Sequence, residues 1–171
     1  MKAEVVKGWP RNNAIRILLK DTDSSQVNAI RRALISDVPK LAITRVNITQ
    51  GVVENDGQIM ESVNVLPDEV LAHRLAMIPI PTFTDDNIYF TENCEECMYK
   101  ADTEKGCQQC QIIYSLNVQG PAPDSEQQTV TVYAEDLTTV SDQKYDILEE
   151  HKRIPLTILS KGQYLELYAL A

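Results

Sequence analysis

The stretch Leu66-Pro67-Asp68-Glu69-Val70-Leu71-Ala72-His73-Arg74-Leu75-Ala76-Met77-Ile78-Pro79 reads as a helix with both ends written into it. Pro67 suits the first helical position, where the missing N–H has no partner to lose and φ is preset. Asp68 and Glu69 bring negative charge to the positive end of the helix dipole, and His73 and Arg74 fall in the later half, where cations are favoured. Val70, Leu71, Leu75 and Met77 carry the apolar pattern onward until Ile78-Pro79-Ile80-Pro81 stops it.

A second helix is legible upstream. Asp21-Thr-Asp-Ser-Ser-Gln26 supplies a start, with Asp23 as N-cap and Gln26 three residues later in a variant of the capping box. Val27, Ile30, Leu34 and Val38 then recur at helical spacing, and Pro39 ends the run. Asn28, Arg31, Arg32 and Ser36 are assigned to the other face. Adjacent arginines are either a solvated face or, beside an apolar stripe in an acidic protein, a surface turned to a partner, and the helix alone leaves both readings open.

Around these helices the pattern is that of strands. Ile15 to Leu19 reads as a buried strand and Ala42 to Thr49 as an imperfectly alternating one. Gly51 and Asn55-Asp-Gly57 mark turns. Later candidates are Gln111–Val118, Thr129–Ala134 and Gln163–Leu170, with a break at Pro121-Ala-Pro123. The segment from Asp142 to Glu150 is charged and undecided. The class is α+β, strands outnumbering two capped helices.

The strongest chemical signal is the pair Cys94-Glu-Glu-Cys97 and Cys107-Gln-Gln-Cys110, the chain's only cysteines. Two C-x-x-C turns separated by a nine-residue loop can set four thiolates around one ion. Zn²⁺ is the default, since four thiolates complete its shell and leave no catalytic position. An iron–sulfur cluster also takes four cysteines but favours closer runs or a terminal Cys-Pro, and a thioredoxin-like couple would want one pair at a helix start. No signal sequence is legible at the amino end and no apolar run reaches membrane-spanning length, so reduced thiols are expected and two disulfides are the lesser reading.

The chain has 171 residues, enough for one domain or two small lobes, and carries 16 basic against 25 acidic residues for a net charge of −9. A free-standing nucleic-acid binder shows the opposite balance, because its affinity comes from counterion release by Lys and Arg. No phosphate loop, dinucleotide fingerprint or H-E-x-x-H is present. His73 and His151 read as surface or interface residues. The neighbouring carboxylates Asp85-Asp86 and Glu149-Glu150 read as solvated faces. The expectation is a protein with no catalytic site of its own.

Asn28-Ala-Ile-Arg-Arg-Ala-Leu-Ile-Ser-Asp-Val-Pro39 resembles the first helix of the alpha-type assembly subunit of multisubunit RNA polymerases, and Asp68-Glu-Val-Leu-Ala-His-Arg-Leu-Ala-Met-Ile-Pro79 is similar to that family's second signature. The family includes the bacterial alpha subunit, its archaeal D-type counterpart and the third-largest subunit of eukaryotic RNA polymerase II. The H-R-L-x-x-I-P run and the cysteine loop between the helices and the later strands point to the archaeal and eukaryotic branch. Gln111-Ile-Ile-Tyr-Ser-Leu-Asn-Val, Thr131-Val-Tyr-Ala-Glu-Asp-Leu and Lys161-Gly-Gln-Tyr-Leu-Glu-Leu extend the likeness over nearly the whole chain.

The resemblance implies a discontinuous dimerisation domain, its first part at 1–45, interrupted by an inserted mixed α/β domain at 46–155 with a zinc loop at 94–110. Residues 156–171 would be the strand returning to the first domain. Val27, Ile30, Leu34 and Val38 would pack on a small alpha-like partner of the archaeal L type. Arg31 and Arg32 would face the second-largest subunit, and His73 and Arg74 would fix contacts within the insert or to a large subunit. Cys94, Cys97, Cys107 and Cys110 would hold zinc. The function implied is a non-catalytic scaffold that recruits the largest and second-largest subunits, in the cytoplasm of an archaeon or in a nucleus, meeting nucleic acid only through the complex and no membrane. The competing reading from the cysteines is an autonomous zinc-ribbon nucleic-acid binder. Family members continue past Tyr168-Ala-Leu-Ala171 with a G-x-G-x-x-H-A-K-[WF]-like segment, strands and a long helix, so the family's C-terminal portion is expected to be lacking here.

Overall fold

The computed structural model describes residues 1–11, 14–55, 57–62, 65–83, 85–86, 88–101 and 105–171. The chain divides into two compact units, Met1–Pro39 and Lys40–Ala171.

In the first unit, β1 (Lys2–Val5) pairs antiparallel with β2 (Ile17–Lys20), Val5 opposite Ile17 and Lys2 opposite Lys20. A Lys20–Glu4 ion pair of 2.6 Å crosses the hairpin. Helix α1 (Ser24–Ser36) follows. Asp23 caps it as expected, its carboxylate accepting the Gln26 N–H at 2.8 Å and the Ser25 hydroxyl at 2.7 Å. The expected return contact from Gln26 is not made, because its side-chain oxygen accepts from the Thr22 hydroxyl at 2.7 Å.

Two other expectations change here. The segment Ile15–Leu19 is not a buried strand: β2 starts at Ile17, and Ile17 and Leu18 are about half exposed. A two-stranded hairpin has no second layer of its own to cover it, and none of the described residues of this unit is buried. Val38 lies beyond α1, which closes at Ser36 when the Asp37 N–H bonds the Ala33 carbonyl at 2.8 Å.

The second unit contains β3 (Arg45–Thr49), β4 (Val52–Asn55), β5 (Gln58–Glu61), α2 (Asp68–Ala76), β6 (Ile113–Gln119), β7 (Thr129–Tyr133), β8 (Thr138–Thr139), β9 (Pro155–Ser160) and β10 (Tyr164–Leu170). Strands β3, β10, β6 and β8 form one antiparallel sheet in that order. β4 pairs with β5, and β7 with β9. Asp56, central to the expected Asn55-Asp-Gly57 turn, lies outside the described residues.

Side-chain alternation explains the sheet. The register aligns Ile48, Leu167 and Leu116 in one row, and Val46, Ala169 and Tyr114 in the next, all facing inward. Asn47, Tyr168 and Ser115 occupy the opposite face. Leu71 and Leu75 of α2 join this core with Val132, Leu156 and Leu159 from the β7–β9 pair. Burying a leucine fully contributes about 1.5–3 kcal/mol, so this continuous set is the main source of the unit's stability. Pro67 stands one place earlier than expected, as the N-cap, with an extended ψ of 134° that turns the chain into α2.

Strands β9 and β10 lie with the second unit. The reason is visible in the pattern of β10: Leu165, Leu167 and Ala169 are buried between β3 and β6, which makes it an inner strand of this sheet. Among the described residues no helix is long and apolar enough to cross a membrane.

Candidate metal centre and interaction surfaces

Each C-x-x-C segment folds as a tight turn. The N–H groups of Cys97 and Met98 donate to the Cys94 carbonyl at 3.0 and 2.8 Å, and those of Cys110 and Gln111 donate to the Cys107 carbonyl at 3.1 and 2.9 Å. The Tyr89 N–H donates to the Gln109 carbonyl at 3.1 Å and ties the segment leading into the first turn to the second turn. The result is a second, separate cluster in which Cys94, Cys97 and Cys110 are buried and Cys107 is half-buried.

The sulfur atoms lie within 4.8 Å of one another. Three separations are 3.5 Å for Cys94–Cys107, 3.7 Å for Cys107–Cys110 and 3.7 Å for Cys97–Cys110. A tetrahedron with metal–sulfur bonds of about 2.3 Å has edges of about 3.8 Å, so the donor set fits a single Zn²⁺-sized ion. The four cysteines are free thiols, well beyond disulfide bonding distance. Burial pushes the Cys110 thiol up to about 12, and a bound cation would favour its thiolate form. Gly106 was not among the residues the sequence singled out; its N–H points at Cys97 Sγ at 3.4 Å from a backbone with φ of +139°. A glycine directly before a ligand cysteine was the available signal.

The stripe on α1 is exposed. Val27 is about half exposed, Leu34 is 63% exposed and Ile30 is intermediate, and Val38, just past the helix, is about half exposed. Ile35, eight residues after Val27 and so on the same side of the helix, is 67% exposed and extends the stripe. Arg31 stands four residues from both Val27 and Ile35 and therefore borders the stripe, a correction to its placement on the opposite face. Its guanidinium is turned onto Asn28 Oδ1 at 2.9 and 3.1 Å. Arg32 is exposed.

On α2 the two cationic residues part company. His73 is exposed, whereas Arg74 reaches within its own unit to the Leu156 carbonyl at 2.6 Å. The acidic pairs behave as surface groups with local partners. Asp86 accepts from Lys144 at 2.8 Å and from the Tyr145 hydroxyl at 2.5 Å, and Glu149 pairs with Lys152.

A sequence model described as the RNA polymerase Rpb3/RpoA insert domain matches residues 46–171. The DNA-directed RNA polymerase subunit Rpo3 of Thermoplasma volcanium is 42% identical over 57% of this chain and 34% of its own length. The subunit of the same name from Methanosarcina acetivorans is 33% identical over 94% of this chain and 50% of its own length. Subunit 3 of DNA-directed RNA polymerases II, IV and V of Arabidopsis thaliana is 31% identical over 90% of this chain and 45% of its own length. The chain thus spans about half the length, or less, of these relatives. With residues 46–171 matched to its insert domain, the chain belongs to the Rpb3/RpoA family of DNA-directed RNA polymerase subunits.

Proposed function

We propose that this chain is a non-catalytic assembly scaffold of a DNA-directed RNA polymerase, which pairs through its first unit with a small alpha-like subunit and recruits the two large catalytic subunits. The observation that carries this reading is the uncovered apolar surface of residues 1–39. Val27, Leu34 and Ile35 stand exposed on one helix, and no described residue of the unit is buried. Exposed apolar surface on this scale marks an interaction face, and a helix stripe is well suited to packing against the matching helix of a related partner.

In this scheme residues 1–45 are the first part of the dimerisation domain. Arg31 and Arg32 flank its apolar face toward the second-largest subunit, and His73 offers a contact to a large subunit. Cys94, Cys97, Cys107 and Cys110 bind Zn²⁺ as a structural staple. The short sulfur separations support one metal over an iron–sulfur cluster, which shares the four thiolates among two or four irons and spreads the ligands farther apart. The protein would work in an archaeal cytoplasm or a eukaryotic nucleus, touching nucleic acid only through the complex. An autonomous zinc ribbon is disfavoured by the net charge of −9.

The test is co-expression with the small and second-largest subunits of a polymerase from the relatives above, followed by affinity purification. Leu34→Asp should abolish recovery of the small subunit. Arg31→Glu with Arg32→Glu should retain the small subunit and lose the second-largest. Undiminished recovery of both from both variants would overturn the scaffold reading.

A further inference from the structure

The charge of this chain is divided unevenly. Residues 1–39 carry seven basic and four acidic side chains, whereas residues 40–171 carry nine basic and twenty-one acidic ones. Within that acidic unit, the cysteine lobe presents an unusual surface. Residues 89–99 wrap the first cysteine turn, with Cys94 and Cys97 fully buried inside it. Around them Tyr99 is 89% exposed and Phe90 67% exposed, and Tyr89 and Met98 are about half exposed. Glu92, Glu95 and Glu96 are exposed on the same segment, and among the described residues no cation pairs with them.

We infer that this face of the lobe docks a basic, arginine-bearing segment of a protein neighbour. A solvated acidic loop has no need of three exposed rings and a methionine, and scattered single apolar residues would not concentrate on one short segment. Exposed rings and unpaired carboxylates carried by one short segment match a guanidinium, which stacks on a ring and pairs with a carboxylate through its planar fork. Nucleic acid and anionic membranes carry the wrong sign for a unit this acidic. The metal has a defined part in this: by fastening the two turns it holds the segment in one shape and spares the ordering cost of docking. The inference therefore rests on the zinc reading for its rigidity, but its recognition groups are side chains that bind no metal.

The probe is a fluorescein-labelled nonaarginine peptide titrated with the zinc-loaded full chain, with nonaglutamate as control. Binding should weaken at least tenfold in Glu92→Lys/Glu95→Lys/Glu96→Lys and severalfold in Phe90→Ala/Tyr99→Ala. The triple variant Glu54→Lys/Asp124→Lys/Glu126→Lys changes the net charge equally at exposed sites elsewhere and should weaken it much less. Equal losses in the two triple variants would reduce the effect to bulk charge, and an unchanged affinity in the aromatic variant would remove the rings; either overturns the inference. A photo-cross-linker at position 99, used in the assembled polymerase, should yield an arginine- or lysine-rich peptide of another subunit. A cross-link to a second copy of this chain, or to a segment without basic residues, also overturns it. Zinc content by elemental analysis, measured on every variant, tells a lost lobe from a lost docking face.

Discussion

Arg74 Nη1 donates a 2.6 Å hydrogen bond to the main-chain carbonyl of Leu156, 82 residues away in sequence. The register explains why that carbonyl is available. β7 pairs Val132 with Thr157 and then Tyr133 with Pro155, so a bulge leaves Leu156 without a ladder partner. Its side chain is fully buried in the core. The guanidinium thus satisfies an oxygen released by the bulge and locks α2 onto β9.

Removing that donor leaves a carbonyl unsatisfied next to the core. Arg74→Met, which keeps the aliphatic stem, should lower the unfolding free energy by about 1.5–3 kcal/mol, the range for hydrogen bonds from charged groups. Arg74→Lys should recover part of it. Urea unfolding of the three proteins measures both, and an unchanged midpoint for Arg74→Met would mean that the bond contributes nothing in solution.

The cysteine lobe forms a cluster distinct from the main core, so metal loss should act locally. Cys107→Ser, or treatment with a strong chelator, should bring the zinc content from about one per chain to a small fraction of that. Hydrogen exchange should rise across residues 88–101 and 105–111 while the amides of β6 and β10 stay protected. A parallel rise in β10 would show that the two clusters are coupled.

Gly120 is required for space. A Cβ there would sit 2.1 Å from the carbonyl oxygen of Ser160 and 3.1 Å from that of Gln163, both main-chain atoms that cannot swing aside. Gly120 also donates its N–H to the Gln163 carbonyl at 2.7 Å. Gly120→Ala should therefore destabilise the unit by about 1–3 kcal/mol, as overpacking does. Thermal unfolding checks this, and a wild-type transition would show that the β9–β10 turn can move.

The Lys144 ammonium, followed by the Tyr145 hydroxyl, holds the Asp86 carboxyl below its ordinary value of 3.8. A carboxylate with a depressed folded-state pKa contributes stability above its unfolded value and loses that contribution as pH falls through the folded one. Acid unfolding should therefore steepen below about pH 4, and Asp86→Asn should flatten that limb and lower stability at neutral pH. Because Asp86 is only half-buried and its Lys144 partner is exposed, the effect is small and should shrink further in molar salt. Identical acid limbs for the two proteins would discount the contact.

Much of the local structure was legible because it is made by neighbours in sequence. The Asp23 cap, the acidic start of α2 and the turns around Cys94 and Cys107 each depend on residues three or four apart. What sequence spacing misjudged involved an absent or distant partner. Ile15 to Leu19 is as apolar as a core strand, yet β2 has only β1 beside it and lies open. β10 reads alike whichever domain it is assigned to, and its place between β3 and β6 is visible only in the folded chain. For Arg74 the sequence leaves open a contact within the insert or to a large subunit, and only the bulge at Leu156 supplies the carbonyl it meets inside its own unit.

By itself, then, the sequence determined two helices, four thiols spaced for one metal and an apolar helix stripe, because hydrogen-bonded turns and side-chain periodicity are short-range. Only the tertiary structure decided the strand order, the use of Arg74, the need for Gly120 and which apolar residues stay uncovered. Those depend on chain segments brought together from many residues apart, where burial and unpaired backbone groups, rather than local propensity, set the outcome.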